Sequence, residues 1–151
     1  MHLERRDFLV SLAAALAAVG MFQPQTAMAA ELNQGALDAK TIEEALTALG
    51  AGTPESSSAV TLVAPDIAEN GAVVPVNVTS TLPGTDAIAL LVEKNPNPLA
   101  AYTSIPAGTE PYVASRVKMQ ESSRVVALVR ANGKFFIASR DVKVTLGGCG
   151  G

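Results

Sequence analysis

The chain has few of the residues that self-contained catalysis and internal cross-linking require. Its 151 residues include one histidine, one cysteine and no tryptophan. A single cysteine excludes an internal disulfide and a cysteine-rich zinc site. The histidine, His2, lies in a segment that we expect to be removed, which leaves no imidazole for a nucleophile pair, general base catalysis or metal ligation. We therefore predict a non-catalytic protein that binds no metal or cofactor of its own.

Residues 1–29 are predicted to be a signal peptide. Arg5-Arg6 followed by an apolar stretch resembles a twin-arginine export signal, although Glu4 and Val10 depart from the usual pattern. The apolar stretch is shorter than the roughly twenty residues that span a bilayer. Cleavage after Ala29 follows the small-residue rule. We expect the mature chain in the periplasm, without a membrane attachment.

The composition of the mature chain indicates one ordinary globular domain. Hydrophobic residues make up 48% of the sequence, enough for a single core. The net charge is −3, and the signal removes equal numbers of acidic and basic residues. Nucleic acid is therefore excluded as an expected partner.

Residues 30–57 are predicted to form one short helix and a linker. Thr41-Ile-Glu-Glu44 matches a capping box, and Gly50 is a typical helix stop. Gly, Pro, Ser and Thr dominate residues 51–58, which favours a linker.

Residues 58–146 are predicted to form an immunoglobulin-like antiparallel β-sandwich of about seven strands, which makes the protein mainly β. Asn132-Gly133 between two apolar runs indicates a tight hairpin, because both turn positions tolerate positive φ. The turn spacing is that of a sandwich. The predicted strands are residues 60–64, 73–79, 87–92, 113–119, 124–130, 134–139 and 142–146.

Alternation in residues 113–120 places Arg116 and Lys118 on the face opposite Val117. This face is either simply solvated, or its cations lie near a partner surface or attract an anionic substrate. The sequence leaves both interpretations open.

The candidate site is a glycine-rich arm at residues 147–151. Gly147, Gly148, Gly150 and Gly151 surround Cys149, and glycine resists being held in a fixed extended structure. We therefore predict a mobile arm that carries the thiol clear of the folded body and can thread a narrow channel. No cation or histidine lies near Cys149 in sequence to favour its thiolate, so partner enzymes are expected to activate it.

These features resemble one family, the sulfur-carrier subunit SoxY of the periplasmic thiosulfate-oxidising multienzyme system. The likeness is strongest in the end of the chain, Val142-Lys-Val-Thr-Leu-Gly-Gly-Cys-Gly-Gly151. Arg116-Val-Lys-Met119, Glu121-Ser-Ser123 and the twin-arginine signal add to it.

The resemblance implies a covalent carrier of sulfur intermediates in the oxidation of thiosulfate and reduced sulfur. Cys149 would bear S-thiosulfonate and persulfide-type adducts, and the four arm glycines would keep their role. The implied partners are a second small β-sandwich subunit (SoxZ-like) in a heterodimer, a c-type cytochrome, a dimanganese hydrolase that releases sulfate, and a sulfane dehydrogenase. The resemblance assigns no site role to Arg116 or Lys118.

Two other interpretations of the arm stay open. Cys149 could link two copies of an exported interaction protein through an intermolecular disulfide. Alternatively, Gly150-Gly151 could be adenylated and converted to a thiocarboxylate, as in ubiquitin-like sulfur carriers. Export argues against the thiocarboxylate, because its formation needs ATP, which is scarce outside the cytoplasm. The strand-rich pattern with its helix first also differs from the β-grasp order of ubiquitin-like carriers.

An unactivated, exposed thiol predicts a particular alkylation rate. Cys149 in the folded protein should react with iodoacetamide at about the rate of a free peptide with the sequence of residues 142–151. Mass spectrometry of samples quenched at successive times measures both rates. A much faster protein thiol would show that the chain activates its own cysteine.

Overall fold

The computed structural model describes residues 34–145, which form two β-sheets and two short helices. The predicted signal peptide, residues 1–29, and the predicted arm, residues 147–151, lie outside the described residues. The helices are α1 (Gln34–Asp38) and α2 (Ile42–Ala48), and a 3₁₀ turn covers Gly71–Val73. The strands are β1 (Glu55–Ser56), β2 (Val60–Val63), β3 (Ile67–Ala68), β4 (Val74–Ser80), β5 (Thr85–Val92), β6 (Leu99–Ser104), β7 (Tyr112–Val117), β8 (Ser123–Ala131) and β9 (Lys134–Val144).

The strands divide between a larger and a smaller sheet. The larger sheet has the order β1-β9-β8-β5-β6, and β3 also pairs with β9. The short strands β1 and β3 run parallel to β9, whereas the other pairs are antiparallel. The smaller sheet has the order β2-β4-β7 and is antiparallel throughout. The predicted mainly β, antiparallel sandwich is confirmed.

The main core lies between the two sheets. Its side chains alternate with exposed ones along β2 and with exposed or half-buried ones along β4, as expected where only one face of a sheet is buried. The smaller sheet contributes Val60, Leu62, Val74, Val76, Val78 and Val117, and the larger sheet contributes Ile88, Leu90, Val92, Val125, Ala127, Val129 and Val142.

A second apolar cluster lies on the other face of the larger sheet, beneath the helices. Ala39, Ile42 and Ala45 pack there with Leu91 and Leu128. Strands β5 and β8 are therefore buried on both faces. This double burial explains why their sequences are nearly continuous apolar runs instead of alternating patterns.

Helix α2 begins after Thr41 and stops before Gly50 as its sequence predicts, although the second bond of the capping box goes to the Lys40 N–H instead of the Thr41 N–H. The Thr41 side chain accepts a hydrogen bond from the Glu44 N–H, and the Glu44 carboxylate accepts one from the Lys40 N–H. At the other end, Gly50 has a φ of 76°. The Gly50 and Ala51 N–H groups then donate to the carbonyls of Thr47 and Leu46, which is a Schellman ending.

The predicted hairpin between β8 and β9 is confirmed. Asn132 and Gly133 have φ values of 49° and 74°, and Ala131 pairs with Lys134 on either side of them. Both turn residues therefore adopt the left-handed conformation of a type I′ turn, which matches the twist of the flanking strands.

Several elements differ from the sequence-based expectation. Residues 134–139 and 142–144, expected to lie in two separate strands, belong to the single strand β9, because Arg140 and Asp141 stay paired with β8. Strand β9 ends at Val144, and residue 146 of the second predicted strand lies outside the described residues. Helix α1 and strands β1, β3 and β6 are present although the sequence predicts only one helix and none of these strands. Strand β1 also lies within residues 51–58, the predicted linker, where it pairs with β9.

The double burial of β5 predicts a large cost for truncating its side chains. Leu91 is fully buried beneath the helices. We expect Leu91→Ala to lower the free energy of unfolding by about 2–5 kcal/mol, through lost burial and the cavity left behind. Leu37→Ala is the matched control, because Leu37 is exposed on α1, and it should change stability by less than about 1 kcal/mol. Urea denaturation measures both, and equal losses would contradict the packing described.

Candidate functional site

The predicted site residues, Cys149 and the arm glycines Gly147, Gly148, Gly150 and Gly151, lie outside the described residues. The structure does describe the segment that leads to them. Strand β9 ends at Val144, and Thr145 is the last residue described. We call Lys143, Val144 and Thr145, with the groups that bind their backbone, the arm root.

The arm root begins where β9 extends beyond its main neighbour. Strand β8 starts at Ser123, which pairs with Val142. Beyond Val142, β9 pairs in parallel with β3, with Ile67 opposite Lys143 and Ala68 opposite Val144. The new pairing keeps the chain extended after the antiparallel ladder has ended.

Backbone hydrogen bonds hold the β3 side of the arm root. The Lys143 N–H donates to the Asp66 carbonyl at 2.9 Å, and the Thr145 N–H donates to the Ala68 carbonyl at 3.0 Å. The Thr145 hydroxyl also donates to the Glu69 carbonyl at 3.2 Å. Thr145 is thus bound through both its backbone and its side chain.

The opposite side of the arm root is held by one hydroxyl group. The Val144 N–H donates to Ser122 Oγ at 2.8 Å, and Ser122 Oγ lies 3.4 Å from the Val144 carbonyl oxygen, to which it donates. A hydroxyl has one proton and two lone pairs, so a single Ser122 side chain serves both polar groups of Val144.

Two exposed ion pairs flank these contacts. Arg140 of β9 contacts Asp66 at 2.8 Å, and Lys94 contacts Glu121 at 3.5 Å. Exposed pairs of this kind contribute about 0–1 kcal/mol each, because solvent screens them. The backbone and hydroxyl contacts, rather than these charges, therefore define the arm root.

Arg116 lies in β7 of the smaller sheet, and Lys118 directly follows that strand. Their side chains are exposed while Val117 is buried, so the predicted alternation is confirmed. Arg116 borders an open groove of about 310 Å³ with Pro75, Asn77 and Ala114. This groove is on the smaller sheet, whereas the arm root is on the larger one.

A smaller cavity lies between the helices and the larger sheet. It has a volume of about 10 Å³ and is lined by residues that include Leu49, Tyr102 and Arg130. Arg130 contacts Asp86 at 2.7 Å, and this hydrogen bond raises the pKa of the guanidinium above its ordinary value. The cavity has room for about one water molecule and none for a sulfur substrate.

Within residues 34–145 no group of three or more His, Cys, Asp or Glu side chains is arranged to hold a metal ion. Over the same residues, no helix has the length and apolar character that crossing a membrane requires.

Comparison with known proteins identifies the family. Residues 45–149 match the family model described as "Sulfur oxidation protein SoxY", and the match ends at the only cysteine. The chain belongs to the SoxY family. A SoxY chain of known structure, the sulfur carrier protein SoxY from Chlorobium limicola f thiosulfatophilum, is 35% identical. The likeness covers 72% of the present chain and 96% of that SoxY, with a TM-score of 0.63.

Two further comparisons do not bear on membership of the SoxY family. A CARDB domain from Pyrococcus furiosus, solved with two metal ions, is 11% identical and has a TM-score of 0.37. That likeness covers 62% of this chain and 95% of the CARDB domain, and it is too weak to support an argument. The curated proteins contain no match.

The arm root of this SoxY-family chain is not evident from its sequence. Glu121-Ser-Ser123 contributes to the family resemblance, but nothing in that segment links Ser122 to Val144. Residues 66–69 stand between two turn signals, Pro65-Asp66 and Asn70-Gly71, and their two-residue strand is too short to show a pattern of its own. The start of β8 at Ser123 and the pairing of Val142 with it are what bring Ser122 beside the end of β9.

Proposed function

We propose that this SoxY-family chain is a periplasmic, covalent carrier of sulfur intermediates in the oxidation of thiosulfate and other reduced sulfur compounds. Cys149 is the attachment point, and the arm at residues 147–151 presents it to partner enzymes. The observation that carries the proposal is that the only cysteine is the last residue of the family match, over residues 45–149. The carrier function named for the Chlorobium SoxY supports it.

Loading forms a sulfur–sulfur bond at Cys149. The thiol loses its proton, its sulfur joins the outer sulfur of thiosulfate, and two electrons pass to the c-type cytochrome partner. The product is an S-thiosulfonate on the cysteine. This chain supplies the cysteine sulfur and presents it to the partner, and the cytochrome partner supplies the oxidant.

The remaining steps clear the same sulfur atom. A dimanganese hydrolase adds water across the bond to the terminal sulfone, which releases hydrogen sulfate and leaves a persulfide on Cys149. The sulfane dehydrogenase then removes six electrons and adds three water oxygens to the outer sulfur. A second hydrolysis releases hydrogen sulfate and restores the thiol.

This division of labour agrees with the chemistry of the described residues. Residues 34–145 contain no histidine and no cysteine, and they present no metal-binding cluster. Activation of the thiol therefore falls to the partners, since an ordinary cysteine is only a few per cent thiolate at neutral pH. A small β-sandwich subunit completes the heterodimeric carrier in this proposal.

A disulfide-linked interaction protein is the alternative. An unpaired cysteine in an exported protein commonly pairs with another chain, and such dimers would also depend on Cys149. The two functions differ in whether sulfur oxidation needs the thiol.

The decisive measurement is the mass of the arm after loading. The mature heterodimer, incubated with thiosulfate and the cytochrome partner, should gain the mass of one thiosulfate-derived group per chain. Peptide mapping should place that mass on the fragment that contains Cys149. Cys149→Ser should gain none, because a hydroxyl does not form the sulfur–sulfur bond.

The matched control is Ser104→Ala, an exposed serine on β6, which should load as the unchanged protein does. An adduct on another residue, or the absence of any adduct, would refute the carrier. Loss of dimers in Cys149→Ser with unchanged sulfur oxidation in a reconstituted system would establish the disulfide function instead.

A further inference from the structure

We propose that Ser122 and Thr145 are positioning residues that fix where the arm leaves the folded domain, and thereby set its working length. The inference rests on the proposed function of Cys149, but its geometry is a property of the described residues. Five hydrogen bonds at the arm root carry it, and three of them use the side chain of Ser122 or Thr145, to which the family resemblance assigns no role.

Consecutive residues of the arm root are held from opposite sides. In a strand, the polar groups of successive residues point alternately toward the two neighbouring strands. Lys143 and Thr145 bond to the β3 side, and Val144 bonds to Ser122 on the other side. The alternation of a regular sheet thus continues to Thr145, although β8 no longer supplies a neighbour.

Ser122 takes the place of the missing strand. Strand β8 begins one residue later, at Ser123, so no β8 backbone pairs with Val144. The Ser122 hydroxyl binds both the N–H and the carbonyl of Val144, at 2.8 and 3.4 Å. An alanine there would leave both groups to water, and an exposed strand end without partners frays readily.

Thr145, the last residue of the arm root, is bound on the β3 side. Its N–H donates to Ala68 and its hydroxyl donates to Glu69, at 3.0 and 3.2 Å. Valine keeps the branched shape and the backbone bond while removing only the bond to Glu69. Asp66, just before β3, is also tied to Arg140 of β9, which holds this segment against the strand.

The anchor changes the length of chain available to Cys149. From Thr145 the cysteine is four residues away, a maximum span of about 13–14 Å. If the arm root opened back to Val142, the last residue paired with β8, seven residues would be free and the span would reach about 23–25 Å. A partner that acts on Cys149 must therefore bring its reactive centre within about 14 Å of Thr145, plus the length of the cysteine side chain.

A longer arm also lowers the effective concentration of the Cys149 thiol at a docked partner. Effective concentration falls as roughly the −3/2 power of tether length, so a change from four to seven residues lowers it about twofold. The anchor therefore favours reaction with a docked partner and restricts excursions of the thiol toward other molecules.

Amide hydrogen exchange tests the anchor without any sulfur chemistry. In the full mature chain, Ser122→Ala should speed exchange at the Val144 N–H about fivefold, the effect of losing one ordinary hydrogen bond. Thr145→Val should speed exchange at the Thr145-position N–H by up to the same factor. Ser122→Thr keeps the hydroxyl and should restore protection.

The matched controls are Ser104→Ala and Thr61→Val, exposed residues on β6 and β2 that are away from the arm root. Both should leave exchange at residues 143–145 unchanged. The amide of Ala127, fully buried in β8, reports global opening and should keep its protection in every variant. If the variants leave Val144 and the residue 145 amide as protected as the controls do, or if Ala127 loses protection equally, the anchor is refuted.

Loading tests the consequence for arm length. A chain with Gly-Gly-Ser inserted after Thr145 has the longer arm with its arm root intact, and the double variant Ser122→Ala, Thr145→Val should resemble it. With limiting cytochrome, both should load thiosulfate about twofold more slowly than the unchanged chain. Slow loading in the double variant with normal loading in the insertion variant would contradict a role through arm length. No loading in the unchanged chain would refute the proposed carrier while leaving the exchange result valid.

Discussion

Strands β5 and β8 need apolar partners on both faces, and the rest of the architecture follows from that need. One face is covered by the smaller sheet, which forms the main core, and the other is covered by the helices. Without either layer, full-length apolar strands would be exposed to water at about 25 cal/mol for each Å². Because β8 is fixed between two layers, its partner β9 is also fixed in register, and the end of β9 acquires a defined position.

The features predicted correctly from sequence are those decided by neighbouring residues. The Asn132-Gly133 turn, the Thr41 cap and the alternation around Val117 each depend on a few consecutive side chains. The structure differs where distant residues decide. Arg140 and Asp141 resemble a break in sequence, yet they remain in β9 because Val125 and Arg124 of β8 pair with them. Strands β1 and β3 have only two residues each and exist because β9 offers them an edge.

The same division applies to the site. Cys149 is evident from composition, because a lone cysteine among glycines has few structural uses, and the family match ends on it. The residues that hold the beginning of its arm are not evident. Ser122 meets Val144 only through the register of β8 and β9, and Asp66 to Glu69 reach β9 only through parallel pairing with a strand more than seventy residues later. No local pattern encodes either contact.

Strand β9 joins the Asn132-Gly133 turn at one end to the arm root at the other. It begins at the Asn132-Gly133 turn and continues without a break to Val144, eleven residues that span roughly 35 Å. The turn is therefore the point on this strand farthest from the emerging arm. A surface, dye or fused domain attached at the turn would therefore be held at the opposite end of the strand from Thr145, so that an immobilised protein would keep its arm root open to other molecules.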